Sequence, residues 1–163
     1  GDSLYRIARK YRTTVEMVRE ANRLANDRIR PGMKLKISKA LYSIQVDLSE
    51  NELPLFENQE PLKIYPVATG REHSTPIGSF TIVHKLVDPV WYQAGAVFPP
   101  ASPDNILGTR WLGFSLPSYG IHGTTMPETI GTSVSKGCIR MHNRDVEELY
   151  RIVPLGTSVA VTP

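Results

Sequence analysis

The spacing of apolar residues changes from a helical to a strand-like period near residue 40, and this change divides the chain into two units. In the first part, Leu4 and Ala8 recur at helical spacing behind a residue that can cap a helix. From Tyr42 onward, apolar and polar residues alternate as in a half-buried strand. We therefore predict a small N-terminal unit over residues 1–39 and a second domain over residues 40–163.

Two short helices and one strand are predicted for the N-terminal unit. Ser3 and Thr14 are suited to cap the two helices, and Lys34 to Ile37 alternates like a strand whose odd positions are buried. A unit this small needs a second strand for pairing. Because the chain begins at Gly1 without a Met or a signal peptide, we expect a truncated start.

The second domain is predicted to be mainly β, with one C-terminal helix. Asn143 to Ile152 has the helical pattern, with Asp145 in the first turn, where a carboxylate favours the helix dipole. The fold class is therefore α+β, and the strands form a sandwich or a barrel-like sheet. The strand-like segments, of which the first three form an antiparallel meander, are 42–48, 53–56, 62–65, 78–84 and 111–116.

Composition and charge exclude several classes of protein. With 40% hydrophobic and 21% charged residues, the chain can bury a core and is not predicted to be disordered. The net charge is +3, and ten of the 19 basic residues lie within residues 1–38 without forming a basic stripe. The longest apolar runs are far short of the ~20 residues that span a bilayer. We expect neither a nucleic-acid partner nor a membrane span.

One long segment, Asp88 to Gly108, has no periodicity and contains four of the 13 prolines. Long irregular segments in compact domains are usually functional, so we predict a loop that covers a site. Its aromatic residues Trp91, Tyr92 and Phe98 are candidates for shaping that site. The alternative is an irregular surface insertion.

The single cysteine, Cys138, lies in the densest cluster of reactive residue types in the chain. In an extended segment Cys138, Arg140 and His142 point to one face, and the apolar residues between them point to the other. One cysteine cannot form an internal disulfide. We interpret it as a nucleophile, with either His122 or His142 as its base.

The neighbours of Cys138 are suited to activating a thiol. The positive charges of Lys136 and Arg140 are expected to lower the pKa of the thiol. Gly137 lets a substrate backbone approach and leaves amide groups free as oxyanion donors. Two other interpretations stay open at this point, a buried structural thiol and a zinc site with two histidines, although no CxxC or HxxxH spacing supports zinc. We predict no metal and no cofactor.

The segments around His122 and Cys138 resemble the signature of the L,D-transpeptidase (YkuD-like) catalytic domain. In that signature a His precedes a Ser-x-Gly-Cys-x-Arg box by a similar gap, which is 16 positions here. The chain departs from the family at Lys136, where many members carry His, and this affects the expected substrate preference more than the expected activity. The resemblance runs from about Leu41 to the end and includes the segments 65–70, 75–80 and 155–159.

The resemblance implies a cysteine enzyme that cross-links peptidoglycan stem peptides through an acyl thioester on Cys138. His122 is then the base, with its ring oriented by the backbone carbonyl of Gly123. Arg140 is expected to pair with a substrate carboxylate, and its alternative role is an ion pair that holds the cysteine loop. If water accepts the acyl group, the same site makes an L,D-carboxypeptidase, and the third alternative is a non-catalytic wall-binding protein. The expected substrate-binding residues are Ser135, Lys136, Arg140, His142, Trp91 and Tyr92.

Gly1 to Ile37 resembles a LysM module, through Gly-Asp-Ser-Leu-x-x-Ile-Ala, an Asn-x-Leu and a final Pro-Gly-x-x-Leu-x-Ile. The resemblance implies a small βααβ domain, whose first strand normally precedes Gly1 and is missing here. The resemblance implies binding to N-acetylglucosamine-containing glycans such as peptidoglycan, through the loops Gly1 to Leu4 and Ala25 to Pro31. A spacer without glycan affinity is the alternative. These resemblances place the protein at a bacterial cell wall or envelope, including a spore envelope. The expected glycan-binding residues are Gly1, Asp2, Ser3, Leu4, Asn26, Asp27 and Ile29.

Overall fold

The chain forms two short helices in its first part and a β-rich domain after them. The structure is a computed structural model that describes residues 1–93 and 95–163. No helix in these ranges combines the length and the hydropathy that a bilayer span requires. The helices are α1 (Leu4–Lys10), α2 (Val15–Ala21) and α3 (Asn143–Ile152). The strands are β1 (Tyr42–Asp47), β2 (Glu52–Glu57), β3 (Glu60–Pro66), β4 (Thr69–Gly70), β5 (Gly78–Val87), β6 (Trp91–Gln93), β7 (Ala96–Phe98), β8 (Arg110–Phe114), β9 (Gly120–His122), β10 (Ser133–Ser135), β11 (Ile139–Arg140) and β12 (Ser158–Thr162).

Both predicted helices of the N-terminal unit are confirmed, together with their caps. The Ser3 hydroxyl accepts a hydrogen bond from the backbone N–H of Arg6 at 3.3 Å, and the Thr14 hydroxyl accepts one from Met17 at 3.1 Å. Each cap satisfies a donor that would otherwise lack a partner at the start of its helix. The helices pack on each other through the buried side chains of Leu4, Ala8 and Val18.

The predicted strand over Lys34–Ile37 is wrong, because these residues pair with no strand in the described part of the chain. Leu35 and Ile37 are half-buried, as the alternation indicated. However, the backbone of Lys36 pairs with the side-chain amide of Asn22, which donates to its carbonyl at 2.8 Å and accepts from its N–H at 2.7 Å. The Asn22 amide therefore satisfies the backbone groups that a neighbouring strand would satisfy.

The second domain is built on one curled sheet of eight strands in the order β11-β9-β8-β5-β12-β1-β2-β3. The predicted meander is confirmed, since β1, β2 and β3 pair antiparallel in sequence order. The last strand, β12, then pairs with β1 in parallel and with β5 antiparallel. At the far end of the sheet, β11 pairs with β9 in parallel, and this pairing brings two distant sequence motifs together.

The helix predicted over Asn143–Ile152 is confirmed as α3, although β12 follows it and ends the domain. Its side chains Val146 and Leu149 are fully buried in the main core. The ammonium group of Lys85 closes its C-terminal end by donating to the carbonyls of Tyr150 at 2.5 Å and Val153 at 2.8 Å. A cation there also complements the helix dipole.

The prediction of a segment without regular structure over Asp88–Gly108 is wrong, because β6 and β7 form a hairpin within it. Trp91 and Phe98 lie opposite each other in the hairpin with ring centroids 4.8 Å apart. Cross-strand aromatic stacking stabilises the pair, and its sequence signal is weak because each strand has three residues. Position 94, inside the predicted loop, lies outside the described residues.

Specific contacts join the two units. The Thr14 hydroxyl, which caps α2, donates to the backbone carbonyl of Arg151 at 2.6 Å. The guanidinium group of Arg151 in turn lies 3.2 Å from the carboxylate of Glu20. The N-terminal unit is therefore attached at α2 to the C-terminal end of α3.

Candidate active site

Four strands each contribute one side chain to a row that crosses the candidate site. Leu86 on β5 lies opposite Trp111 on β8. Trp111 lies opposite His122 on β9, and His122 lies opposite Arg140 on β11. Paired residues share a face of a sheet, so these side chains point the same way, and all four line one cavity of about 670 Å³. Cys138, two residues before Arg140, lines the same cavity.

The loop before Cys138 is held by the buried side chain of Ser135. Its hydroxyl donates to the Cys138 carbonyl at 2.6 Å and accepts from the N–H of Gly137 at 3.0 Å. The expectation that Gly137 offers a free amide is therefore wrong, because that amide already has a partner inside the loop. Within the described residues, the N–H of Cys138 itself has no such partner and remains available as a donor.

Gly137 is required by the shape of the loop. Its φ is +122°, a conformation that other residues rarely adopt. A Cβ atom at this position would lie 2.7 Å from the carbonyl oxygen of Ser74 and 2.7 Å from a ring carbon of Tyr119. The absence of a side chain therefore lets the cysteine loop lie directly against the turn that contains Ser74.

Burial raises the pKa of the Cys138 thiol, so the expectation of a lowered pKa is wrong. A backbone hydrogen bond from Gly120 and the charge of Arg140 act in the opposite direction, but desolvation is the larger effect. The thiol donates to the carbonyl of Ser118 at 3.5 Å. Burial in the site therefore favours the neutral thiol over the thiolate.

His122 is buried as a neutral base. Its Nδ1 lies 2.6 Å from the carbonyl oxygen of Gly123, which can only accept, so Nδ1 carries the proton and Nε2 is free to take one. Burial lowers the pKa of His122 to about 4, although the Gly123 hydrogen bond opposes the shift. The ring stacks on Trp111 with centroids 5.9 Å apart and planes at 21°. These two contacts fix both the tautomer and the orientation of the base.

Gly123 is itself positioned by Asn143, a residue that the sequence analysis did not identify. The Asn143 side chain accepts from the N–H of Thr124 at 3.1 Å and from that of Thr109 at 3.3 Å, and it donates to the Thr124 carbonyl at 3.0 Å. A Cβ atom on Gly123 would overlap with the Asn143 amide oxygen. The asparagine directly after His142 in the motif was the available signal.

Arg140 presents a buried charge to the cavity. It is 8% exposed, and its Nε has no hydrogen-bond partner. In residues 1–93 and 95–163, no carboxylate forms an ion pair with it. This geometry does not support the alternative of a structural ion pair. The charge of Glu128 acts on Arg140 from beyond ion-pair distance, so the guanidinium group can still bind an anionic group that enters the cavity.

Comparison with known proteins agrees with this geometry. A family model for the L,D-transpeptidase catalytic domain, YkuD, matches residues 41–161. The chain belongs to the L,D-transpeptidase family. A second model, for the LysM domain, matches residues 1–38. Both resemblances seen in the sequence are confirmed, and the protein is an enzyme of this family with a LysM domain at its N-terminus.

Two relatives from bacilli are similar over nearly the whole chain. YkuD of Bacillus licheniformis, which is named as an L,D-transpeptidase, is 40% identical over 100% of this chain and 95% of its own length. YkuD of Bacillus subtilis carries the same name and is 37% identical, over 99% of this chain and 94% of its own length. Both relatives therefore match this chain across its LysM domain and its catalytic domain.

Solved structures share the fold at low sequence identity. An L,D-transpeptidase from Mycobacterium tuberculosis H37Rv superposes with a TM-score of 0.64 at 18% identity, covering 76% of this chain and 58% of that one. One from Stackebrandtia nassauensis superposes with a TM-score of 0.60 at 23% identity, covering 78% of this chain and 58% of that one. These likenesses confirm the fold of this L,D-transpeptidase.

The remaining predicted substrate-binding residues fall into two groups. Trp91, Tyr92 and Lys136 line the cavity together with Ser135. His142 is not among its lining residues; its carbonyl instead accepts the first hydrogen bonds of α3. Within the described ranges, no three His, Cys, Asp or Glu side chains are grouped as a metal site requires.

The predicted glycan-binding residues of the LysM domain differ in exposure. Gly1, Asp2 and Ser3 are exposed, and Ser3 caps α1. Leu4 is 1% exposed in the core, so its assignment to a glycan-contacting surface is wrong. Its position on the inner face of α1 requires that burial. In the second loop, Ile29 packs against the same core, Asn26 accepts from the N–H of Arg28, and Asp27 lies 3.5 Å from Arg19.

Replacing Gly137 tests the shape of the cysteine loop. We expect Gly137→Ala to lower the free energy of unfolding by about 2 to 4 kcal/mol, because positive φ and two close contacts both oppose a Cβ. Gly131→Ala is the matched control, since Gly131 also has a positive φ but nothing within 4 Å of its Cβ position. Gly131→Ala should lower the free energy of unfolding by only about 1 kcal/mol. If urea denaturation gives the same loss of unfolding free energy for both variants, the contacts at Gly137 are not close.

The buried His122 predicts a specific loss of stability in acid. Its pKa falls from 6.5 to about 4 on folding, so the unfolded chain binds the extra proton between these values. Stability should therefore decrease as the pH falls from 6.5 to 4, by about 3 kcal/mol in total. His122→Gln should remove this part of the pH dependence, whereas exposed His84→Gln should keep it. Identical pH profiles of unfolding for wild type and His122→Gln would contradict the assignment.

Proposed function

We propose that this enzyme cross-links peptidoglycan stem peptides through an acyl thioester on Cys138. The observation that supports the proposal is the shared cavity, into which the single thiol of the chain, the buried neutral His122 and the unpaired cation of Arg140 all open. Such a set can activate a nucleophile, accept its proton and bind a carboxylate.

In the first half of the reaction, the thiol attacks the carbonyl of the third stem residue. His122 takes the thiol proton at Nε2 as the carbon–sulfur bond forms, and its Nδ1–H to Gly123 stabilises the imidazolium. Burial makes that cation unfavourable, which drives the proton on to the leaving amine when the amide bond breaks. Terminal D-alanine then departs as a neutral amine, and the thioester remains.

In the second half, an acceptor amine attacks the thioester. His122 removes a proton from this amine and returns it to the departing sulfur, so the free thiol is restored and a new amide bond has formed. The N–H of Cys138 is the donor that we assign to the oxyanion in both halves. Arg140 binds a carboxylate of the stem peptide.

The apolar wall of the cavity favours an amine over water as acceptor. Trp91 and Tyr92 of the β6–β7 hairpin lie over the site, together with Leu86, Ile106 and Leu107. Such side chains limit the access of water to the thioester. Hydrolysis by the same Cys138–His122 pair, which would make the enzyme an L,D-carboxypeptidase, is the alternative that product analysis distinguishes.

Intact-mass analysis with a tetrapeptide-stem muropeptide tests the nucleophile. The wild type should gain an acyl adduct with loss of D-alanine, and Cys138→Ala should gain none. His122→Gln should slow acylation by about 10²- to 10⁴-fold, while His142→Gln, a matched histidine outside the cavity, should leave it unchanged. An adduct on Cys138→Ala, or equal rates for the two histidine variants, would refute the assignment.

Two further arms of this experiment address the acceptor and the acyl donor. With an acceptor amine present, cross-linked dimer should form, and tripeptide as the sole product would identify a carboxypeptidase.

One solved L,D-transpeptidase with a TM-score of 0.63 is in complex with imipenem, at 18% identity over 76% of this chain and 59% of that one. Imipenem should therefore acylate Cys138 here.

The LysM domain is proposed to hold the enzyme on the glycan of a bacterial cell wall or envelope, outside the cytoplasm. Its loop residues Asp2, Asn26 and Asp27 are exposed and can bind sugar hydroxyls. The residues assigned to chemistry all belong to the second domain. The LysM domain therefore raises the local substrate concentration without taking part in bond formation.

Sedimentation with insoluble peptidoglycan tests this division. The double variant Asn26→Ala and Asp27→Ala should reduce the bound fraction several-fold, because it removes polar groups from the exposed loop. Acylation by a soluble muropeptide should stay at the wild-type rate. The matched control removes a hydroxyl and a carboxylate from an exposed turn of the catalytic domain that lies outside every cavity described below, through Ser49→Ala and Glu50→Ala. Unchanged sedimentation of the LysM variant would contradict the proposal.

A further inference from the structure

Three cavities adjoin one another through shared lining residues, and we call the central one, which lies between the two domains, the interdomain groove. The interdomain groove, of about 770 Å³, has walls from α1 and the start of α2 on one side and from β5 and the end of α3 on the other. This cavity shares Leu86 with the active-site cavity. It shares Arg12 and the segment 154–156 with a third cavity of about 510 Å³.

Leu86 lies where the groove meets the active site. It begins the cross-strand row that ends at Arg140, and it also faces the interdomain groove. The interdomain groove therefore adjoins the active-site cavity at Leu86.

The interdomain groove is positively charged. Arg9 and Arg12 are exposed at its wall, and neither forms an ion pair in the part of the chain that the structure describes. Lys85 is engaged with α3, and Glu16 is the one carboxylate among the lining residues. Since no carboxylate of the described residues engages either guanidinium group, both can pair with an anionic ligand.

An aromatic ring lies beside these charges. Tyr5 is 57% exposed, lines the interdomain groove and has the guanidinium of Arg9 5.9 Å from its ring centroid. An exposed ring can pack against the apolar face of a sugar, while its hydroxyl bonds to solvent or to the ligand. The wall that contains Tyr5 is held in place by the hydrogen bond from Thr14 to Arg151.

We propose that the interdomain groove binds a peptidoglycan glycan strand through its acidic stem peptides, and directs one stem peptide past Leu86 into the active site. This inference rests on the proposed function, because it takes the same polymer as substrate. Adjoining cavities match a linear polymer, and in this proposal a single muropeptide engages only the catalytic cavity. Stem carboxylates pair with Arg9 and Arg12, and a sugar ring packs on Tyr5.

Calorimetry with two soluble probes tests the groove. The probes are a glycan chain of several disaccharide units with tetrapeptide stems and a single tetrapeptide-stem muropeptide, each titrated into the full chain carrying Cys138→Ala so that no turnover occurs. The double variant Arg9→Gln and Arg12→Gln should raise the Kd for the chain by about three- to tenfold and leave the Kd for the muropeptide unchanged. High salt should reduce this difference.

A matched double variant removes two positive charges outside the interdomain groove. Arg23→Gln and Arg144→Gln replace two exposed arginines outside the three cavities and should leave both Kd values unchanged. The proposal is overturned if the groove variant binds the chain like the wild type, or if the matched variant weakens binding equally. Acylation by the muropeptide, measured separately with Cys138 intact, tests the proposed function. If either the binding experiment or the acylation experiment fails, the other can therefore still be interpreted.

Discussion

The parallel pairing of β9 with β11 is the constraint on which the rest of the site depends. It places Arg140 opposite His122 and so joins two motifs that lie 18 positions apart in the chain. The antiparallel pairing of β9 with β8 then adds Trp111 on the other side of the histidine. Because register fixes which face each side chain occupies, a shift of one residue in either pairing would turn the base away from the cavity.

Burial determines the chemical state of the reactive pair. Desolvation raises the pKa of Cys138 and lowers that of His122, so burial favours the neutral form of both groups. In the proposed reaction, this pair transfers its proton as the sulfur attacks. Gly137 leaves no room for a side chain between the cysteine loop and Ser74, which constrains the residue type at this position of the loop.

The contact between the two domains affects more than the fold of the LysM domain. Thr14 caps α2 and also bonds to the end of α3, so one side chain fixes both a helix and the position of the domain. With the domains held in this arrangement, α1 forms a wall of the interdomain groove. The proposed route for a wall polymer thus depends on packing and not on any single binding motif.

The sequence alone determined the elements whose signals are local. Alternation from Tyr42 identified the meander, the pattern over Asn143–Ile152 identified α3, and the cysteine motif with His122 identified the family. Each of these signals depends on neighbouring residues, which the sequence displays directly.

Tertiary structure determined the properties that depend on contacts between segments distant in sequence. The pKa of Cys138 rose because burial outweighed the positive charge that the motif displays, and the amide of Gly137 was occupied by Ser135. The strand expected at Lys34–Ile37 did not form, because the Asn22 amide bonded to Lys36 in place of a neighbouring strand. Desolvation, hydrogen-bond partners and strand register arise between distant segments, so a pattern of residue types does not contain them.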